Sequence, residues 1–213
     1  MLEYDDEMLL VGLSSIVTLL LALVYRWITR RQLHTKVLIT GLDAVGKSTL
    51  LYKLRVPITV QNPKHGFHVE RAMCGGIELV CFDLGGSDVG TRIMPDQRAL
   101  LQGANALLFV HDAADTDRLP QAADFLHLLL SEEALAAPLP VLLLLNKQDL
   151  KSAIDVAAAA RAFRLAEPRE DQLCLRGRPT RIQPACTTTM DGVVEGLEWL
   201  RTIEVEHRTD CHA

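Results

Sequence analysis

Residues 41–48 read Gly-Leu-Asp-Ala-Val-Gly-Lys-Ser, which fits G-x-x-x-x-G-K-[ST], the pattern of a loop that surrounds phosphate groups. An apolar stretch before it predicts a buried strand at 36–41, and a helical pattern follows at 47–55. Glycine allows a close backbone approach that a Cβ atom would block, and the amides at the helix start can donate to phosphate oxygens. The sequence therefore predicts a strand, a phosphate-binding loop and a helix in this order.

This loop supplies the first candidate ligands. We expect Lys47 to reach the β- and γ-phosphates of a nucleotide, and the Ser48 hydroxyl to hold Mg²⁺. The alternative is a glycine-rich turn that ends in a surface lysine, but it leaves the flanking strand and helix unexplained. The candidate cofactor-binding residues here are Asp43, Ala44, Val45, Gly46, Lys47, Ser48 and Thr49.

A second motif follows a continuous apolar run at 139–145, where the chain reads Asn146-Lys-Gln-Asp149. Asn/Thr-Lys-x-Asp after a strand is typical of a guanine pocket. The Asp149 carboxylate can accept from guanine N1–H and the N2 amino group, whereas adenine would leave it unpaired. We expect Asn146 to hold the loop and the other edge of the base, and the Lys147 stem to pack along the ring. This motif favours guanine over adenine.

A third motif lies between the other two, where an apolar strand is followed by Asp83-Leu-Gly-Gly86. We expect Asp83 to face Mg²⁺, usually through water, and the Gly86 N–H to meet the γ-phosphate. Asp-x-x-Gly is common by itself, so its value depends on its position between the two stronger motifs. The candidate metal ligands are therefore Ser48 and Asp83.

Together these motifs resemble those of the ADP-ribosylation-factor-like (Arf-like) branch of the small GTPases. The resemblance covers about residues 35–205 and implies a P-loop NTPase, an α/β fold with a six-stranded, mostly parallel sheet and helices on both faces. It also implies that Cys186 and Thr187, at the family's Cys-Ala-Thr position, contact the base. The matching segments are 41–54, 66–70, 83–86, 146–149 and 191–200.

The alternation of strand and helix patterns agrees with this fold. The predicted strands lie near 36–41, 66–73, 77–84, 105–111, 140–146 and 181–186, and the predicted helices near 47–55, 96–103, 118–135, 152–164 and 191–204. Gly75-Gly76 predicts a hairpin, which would form the one antiparallel pair at the sheet edge. The polar stretch 167–179 predicts a surface loop. About 180 residues are enough for one domain with a full core, here 35–205, followed by a tail at 206–213.

The N-terminal region has a different composition. Residues 1–7 are acidic, and from Met8 to Tyr25 the chain has 18 residues without charge. As a helix this stretch would be about 27 Å long, close to the thickness of a thin bilayer. The sequence therefore predicts a transmembrane helix at 8–28 and a basic juxtamembrane linker at 29–34. The basic flank consists of Arg26, Arg30, Arg31 and Lys36, and it predicts a single-pass protein with its GTPase domain in the cytosol.

Three other interpretations fit this region less well than a transmembrane helix. A cleavable signal peptide would need a basic start and a small-residue cleavage site, whereas this chain starts with acidic residues. An interfacial helix would need a charged face, which the uncharged stretch from Met8 to Tyr25 lacks. A helix buried in the protein core would be unusually long and apolar on all sides. Myristoylation is excluded because residue 2 is Leu. The short span suits the membrane of the endoplasmic reticulum or the early secretory pathway.

Composition narrows the function further. A net charge of −5 argues against a nucleic-acid partner. The five cysteines show no paired or metal-binding spacing, and Cys211 is third from the end, so it is not a prenylation site.

Two residues depart from the family pattern. Lys64 stands where the resemblance places a threonine that completes the Mg²⁺ shell, and an ammonium group cannot coordinate a cation. Ser87 stands where the family has the glutamine that orients the attacking water, so no catalytic residue is certain. Intrinsic hydrolysis is slow even with that glutamine. We therefore expect binding of GTP and GDP with Mg²⁺, and weak hydrolysis.

The predicted function is a membrane-anchored guanine-nucleotide switch in membrane traffic. Residues 57–70 and 85–98 would recruit effectors, and an exchange factor and an activating protein would act as regulators. One alternative is a GTP-bound, non-switching subunit of a membrane complex, because the signal-recognition-particle receptor β subunit has a similar layout. A second alternative, an ATP-dependent kinase or ATPase, is disfavoured by residues 146–149.

Overall fold

The computed structural model describes residues 18, 35–54, 58–61, 69–74, 77–82, 93, 95–135, 139–165, 173–175 and 178–210. The chain divides into two compact units, Met1–His34 and Thr35–Ala213. The predicted acidic N-terminus, membrane helix and linker lie outside the described residues except for Thr18, which is helical. In the described part of the chain, no helix is long and apolar enough to span a membrane.

The second unit is built on one sheet, which has eight strands in the described ranges. They are β1 (Thr35–Thr40), β2 (Ile58–Gln61), β3 (Val69–Cys74), β4 (Ile77–Phe82), β5 (Ala106–Asp112), β6 (Val141–Asn146), β7 (Leu173–Leu175) and β8 (Arg178–Pro184). Their spatial order is β2-β3-β4-β1-β5-β6-β8-β7. The five neighbours from β4 to β8 in this order pair in parallel. The sheet is therefore mostly parallel, as predicted.

Helices follow the strands along the chain. They are α1 (Lys47–Lys53), α2 (Pro95–Leu101), α3 (Leu119–Leu129), α4 (Val156–Ala162) and α5 (Val193–Asp210), with a short 3-10 helix at Glu133–Leu135. Each of the five α-helices overlaps a helix predicted from the sequence, but two of their ends differ. The helix predicted at 118–135 ends at Leu129 and is followed by the 3-10 helix, and α5 continues to Asp210, into the predicted tail.

The two faces of the sheet are covered by different helices. On one face, the Phe109 ring of β5 packs against Phe125 of α3 and against Phe163, just after α4, with ring centroids 5.8 and 6.0 Å apart. On the other face, a Cβ atom at Gly196 of α5 would lie 3.0 Å from Leu142. Leu142 and Leu143 are successive residues of β6, so they point to opposite faces, and Leu143 pairs with Phe109. The prediction of helices on both faces is confirmed.

The centre of the sheet explains the long apolar runs in the sequence. All residues of β5 and β6 are buried. Parallel strands with helices on both faces have no solvent side, so their sequences are apolar rather than alternating.

The six predicted strands are confirmed, and the sheet extends by two further strands. β2 pairs antiparallel with β3, and β7 pairs antiparallel with β8. The predicted hairpin is confirmed by the antiparallel pairing of Cys74 with Ile77 on either side of the two glycines. The expectation of a single antiparallel pair is wrong, because these three pairings are antiparallel.

Part of the predicted surface loop at 167–179 is also a strand. β7 has three residues between polar neighbours, so the sequence carries too short an apolar signal to show it. It is held by its pairing with β8 instead.

Lys36 does not belong to a membrane-side flank, and that prediction is wrong. It lies in β1, and its Nζ donates to the backbone oxygens of Leu100 and Gln102 at 2.6 and 2.7 Å. Its backbone N–H donates to Asn105 Oδ1 at 2.8 Å. Carbonyl groups at a helix C-terminus attract a cation, and here those of α2 lie beside the start of β1. Burial lowers the pKa of the Lys36 ammonium, and the charge of Glu78 opposes this effect.

Candidate nucleotide-binding site

The phosphate-loop motif lies between β1 and α1, as predicted. Gly41 and Gly46 have φ angles of 149° and 103°, which side chains rarely adopt. A Cβ atom at Gly41 would lie 2.1 Å from the Val110 oxygen, and one at Gly46 would lie 2.3 Å from Asn146 Nδ2. Both positions therefore require glycine because the neighbouring strands and loops approach so closely.

Lys47 is the first residue of α1, and its side chain turns back into the loop. It is 4% exposed, and its Nζ donates to the backbone oxygens of Gly41 and Leu42 at 2.9 and 2.6 Å. A buried ammonium needs acceptors, and a phosphate oxygen would be a stronger acceptor than a neutral carbonyl. The loop thus contains a buried cation that donates to two neutral backbone oxygens.

Asn146, at the end of β6, joins the phosphate loop to the loop after β8. Its Nδ2 donates to the Val45 oxygen at 2.7 Å, and its Oδ1 accepts from the Thr187 N–H at 2.8 Å. The side chain is 1% exposed. It therefore brings the three candidate segments 43–49, 146–149 and 186–187 together.

Two charged residues of the same motif have partners. Lys147, which has a φ of 64°, places its Nζ 2.6 Å from Asp112 Oδ2. Asp149 is exposed, and its Oδ1 accepts from the Cys186 thiol at 3.2 Å. The Asp149 carboxylate is therefore anchored on one side and open to solvent on the other.

The loop after β8 carries the remaining candidates, Cys186 and Thr187, and both are buried. The Cys186 N–H donates to the Asp191 oxygen at 2.9 Å, which closes a turn around 187–190. A Cβ atom at Gly192, where φ is 71°, would lie 2.0 Å from the Pro184 oxygen. The loop is thus held against the end of β8.

The candidate residues for the metal are only partly within the described chain. Ser48 and Thr49 are exposed in the first turn of α1, and an exposed hydroxyl there is a hard oxygen ligand of the kind that Mg²⁺ takes. Asp83, Gly86, Ser87 and Lys64 lie outside the described residues. Across the described ranges, no group of three or more His, Cys, Asp or Glu residues could hold a metal ion.

Sequence reasoning missed two residues at this site, Asp112 and Arg118. Asp112 pairs with Lys147, and Arg118 contacts the phosphate loop at the Asp43 oxygen. Asp112 is the last residue of the buried strand β5, and a carboxylate at the end of an apolar run is a signal that could have identified it. Arg118 lies in a polar stretch without a recognisable motif.

The candidate segments all lie at the carboxyl ends of the parallel strands, where ligands bind in open α/β sheets. An apolar groove of about 260 Å³ lies at the opposite ends, beside the first residues of β1, β4 and β5. None of the candidate residues lines it.

Comparison with known proteins decides the family. The sequence matches the ADP-ribosylation factor family over residues 21–203. The chain belongs to the ADP-ribosylation factor family. One relative of this Arf-family chain is ADP-ribosylation factor 1 of Brassica rapa subsp. pekinensis, which is 36% identical over 168 residues, 78% of this chain and 86% of the relative. The resemblance to Arf-like small GTPases is therefore confirmed, and the loop at 41–48 is the P-loop of this family.

Proposed function

We propose that this Arf-family protein binds GTP and GDP with Mg²⁺ at the site formed by three loops, which contain residues 43–49, 146–149 and 186–187. The observation that carries the proposal is the pair of hydrogen bonds made by Asn146, to the Val45 oxygen and from the Thr187 N–H. Through them a buried ammonium at Lys47 and an exposed carboxylate at Asp149 belong to one site. The end of the site with Lys47 is suited to phosphate groups, and the end with Asp149 is suited to a base that has N–H donors.

The choice of guanine rests on the carboxylate of Asp149. It would accept from N1–H and from the N2 amino group of guanine, while adenine presents an acceptor and would leave the carboxylate unpaired. The Cys186 thiol supports it from the protein side at 3.2 Å.

The sharpest test of this proposal exchanges the polarity of that group. Asp149→Asn replaces an acceptor with an N–H donor, which suits the 2-oxo group of xanthine. We expect GDP affinity to fall by about a hundredfold or more and xanthosine diphosphate to bind instead. Asp124→Asn, another exposed carboxylate that lies on α3 away from these loops, is the control and should leave GDP binding unchanged. Equal GDP affinity in the Asp149→Asn variant and in the unsubstituted protein would contradict the proposal.

Magnesium would be held by Ser48, beside the P-loop lysine, and by Asp83 through water. The metal would balance the charge between the β- and γ-phosphates. Ser48→Ala should therefore weaken GTP binding in Mg²⁺ more than in EDTA, and equal loss in both conditions would count against this role.

We propose that the output is recruitment of effector proteins in membrane traffic, with slow hydrolysis. Support comes from the family and from two sequence departures, Lys64 and Ser87, at the positions that complete the metal shell and orient water. Single-turnover hydrolysis should accelerate in Ser87→Gln, and an unchanged rate would count against the explanation by Ser87.

The alternative is a GTP-bound subunit that never switches, as in the signal-recognition-particle receptor β subunit. Lys64 and Ser87 are compatible with it. The nucleotide that co-purifies with the protein discriminates between the two, since a switch carries exchangeable GDP and a static subunit carries GTP without turnover.

We further propose that residues 8–28 anchor the protein in a membrane, with the GTPase domain (35–205) in the cytosol. The support is the uncharged stretch from Met8 to Tyr25 and the basic residues that follow. The full chain should stay with membranes in alkaline carbonate, and release into the supernatant would contradict an anchor that spans the bilayer.

A further inference from the structure

Arg118, immediately before α3, links two segments that are far apart in sequence. Its Nε donates to Asp115 Oδ2 at 2.6 Å, and its backbone N–H donates to Asp115 Oδ1 at 3.1 Å. Its remaining arm reaches across to the P-loop, where Nη1 donates to the Asp43 oxygen at 3.3 Å. Asp115 thus holds the guanidinium in the orientation from which it contacts the loop.

The contact falls on a strained part of the loop. Ala44, the residue after Asp43, has a φ of 61°, which is unfavourable for a residue with a Cβ atom. Such backbone persists only where its surroundings hold it. Because the peptide unit is planar and trans, the Asp43 C=O and the Ala44 N–H point in opposite directions. When Arg118 donates to the Asp43 oxygen, it therefore fixes the Ala44 N–H in the direction away from Arg118.

The hydrogen bonds from Lys47 and Asn146 reach other carbonyl groups of the loop. Lys47 donates to the oxygens of Gly41 and Leu42, and Asn146 donates to the oxygen of Val45. The Asp43 carbonyl lies between these positions and is reached from α3 instead.

We propose that Arg118 is a positioning residue of the P-loop, which fixes the peptide between Asp43 and Ala44 so that its N–H is aimed at a nucleotide phosphate. The inference rests on the proposed nucleotide binding and assigns a further residue to that site. Arg118 acts on the loop and not on the base. Its loss should therefore weaken the binding of di- and triphosphates without a matching loss for a nucleotide that lacks the β-phosphate.

The experiment compares GDP and GMP affinities of the full-length protein in detergent. We expect Arg118→Ala to bind GDP about tenfold to a hundredfold more weakly, the effect of one lost hydrogen bond from a charged donor, and to bind GMP within about twofold of the unsubstituted protein. Arg118→Lys, which keeps one donor, should give an intermediate GDP affinity. Arg164→Ala is the matched control, because it removes an arginine from another Asp pair, with Asp124, that is exposed on both sides.

The outcomes separate the inference from the proposed function. A selective loss of GDP affinity in Arg118→Ala, with the Lys variant between, supports the positioning role. An unchanged GDP affinity, or an equal loss for GDP and GMP, overturns it while the nucleotide site stands. If the unsubstituted protein binds no guanine nucleotide, the proposed function fails, and the inference fails with it.

Discussion

At the scale of single residues, Gly46 is constrained by two physical effects at once. Its φ of 103° excludes most side chains, and a Cβ atom would lie 2.3 Å from Asn146 Nδ2 and 3.2 Å from Thr187 Oγ1. The same Asn146 accepts from the Thr187 N–H in the loop after β8, so the absence of a side chain at position 46 lets the P-loop and that loop meet.

Alanine substitutions at two glycines, Gly46 and Gly103, separate the effect of backbone strain from the effect of steric overlap. Gly46→Ala should lower GDP affinity by about a hundredfold or more, because Asn146 must move and its bonds to two loops are lost. Gly103→Ala has a similar φ of 70° but nothing within 4 Å of the new Cβ, so it should cost only about 1–2 kcal/mol of stability. The measurements are titration with a fluorescent GDP analogue and chemical unfolding. Full GDP affinity in Gly46→Ala would contradict the interlocked arrangement.

His111 is a buried residue whose effect on the stability of the fold depends on pH. It is 1% exposed, packs edge-on against Phe163, and neither ring nitrogen has a hydrogen-bond partner in the described structure. Burial lowers its pKa from 6.5 to about 4, although the carboxylates of Asp112 and Asp115 act in the opposite direction. The native protein therefore keeps this imidazole neutral where the unfolded chain protonates it.

The pH dependence of stability follows from this difference. Above pH 6.5 the ring is neutral in both states, so it adds no slope. As pH falls from about 6.5 to about 4, only the unfolded chain takes up the proton, and stability should drop by a total on the order of 3 kcal/mol. His111→Leu should flatten the pH dependence of the free energy of unfolding in this range. An unaltered slope in His111→Leu would refute this assignment.

At the scale of elements, the features that the sequence could predict were those with a long local signal. The runs at 105–111 and 140–146 coincide with β5 and β6 because a strand buried on both faces must be apolar along its length. β7 is stabilised by pairing with β8 and has only three residues, so its neighbours decide it. The side chain of Lys36 likewise depends on α2, which is distant in sequence.

The contact between Lys36 and α2 gives a prediction for these two elements. Lys36→Met should lower the free energy of unfolding by about 2 kcal/mol, because the hydrogen bonds to Leu100 and Gln102 involve a charged donor. Exchange protection of amides in 98–102 should fall with it. Lys151→Met, at an exposed position, is the control and should leave both quantities unchanged. Equal stability of the two variants would show that the contact contributes nothing.

At the scale of the whole molecule, the site is an assembly of three loops at one edge of the sheet. The contiguous motifs predicted most of the candidate residues that the fold brings together, because their spacing encodes a strand followed by a loop. Contacts between loops, such as Asp112 with Lys147 and Arg118 with Asp43, could not be predicted, since the order of the strands determines them. The roles of all the candidate residues stay predictions, and Lys64, Asp83, Gly86 and Ser87 also lie outside the described residues.

The central claim is that these loops bind one guanine nucleotide. The most direct measurement is a titration of the nucleotide-free, full-length protein in detergent and Mg²⁺ with GDP, GTP and ATP. The account predicts saturable binding of both guanine nucleotides, with ATP weaker by about a thousandfold or more. No saturable binding of GDP or GTP at millimolar concentration, or equal affinity for ATP, would contradict it.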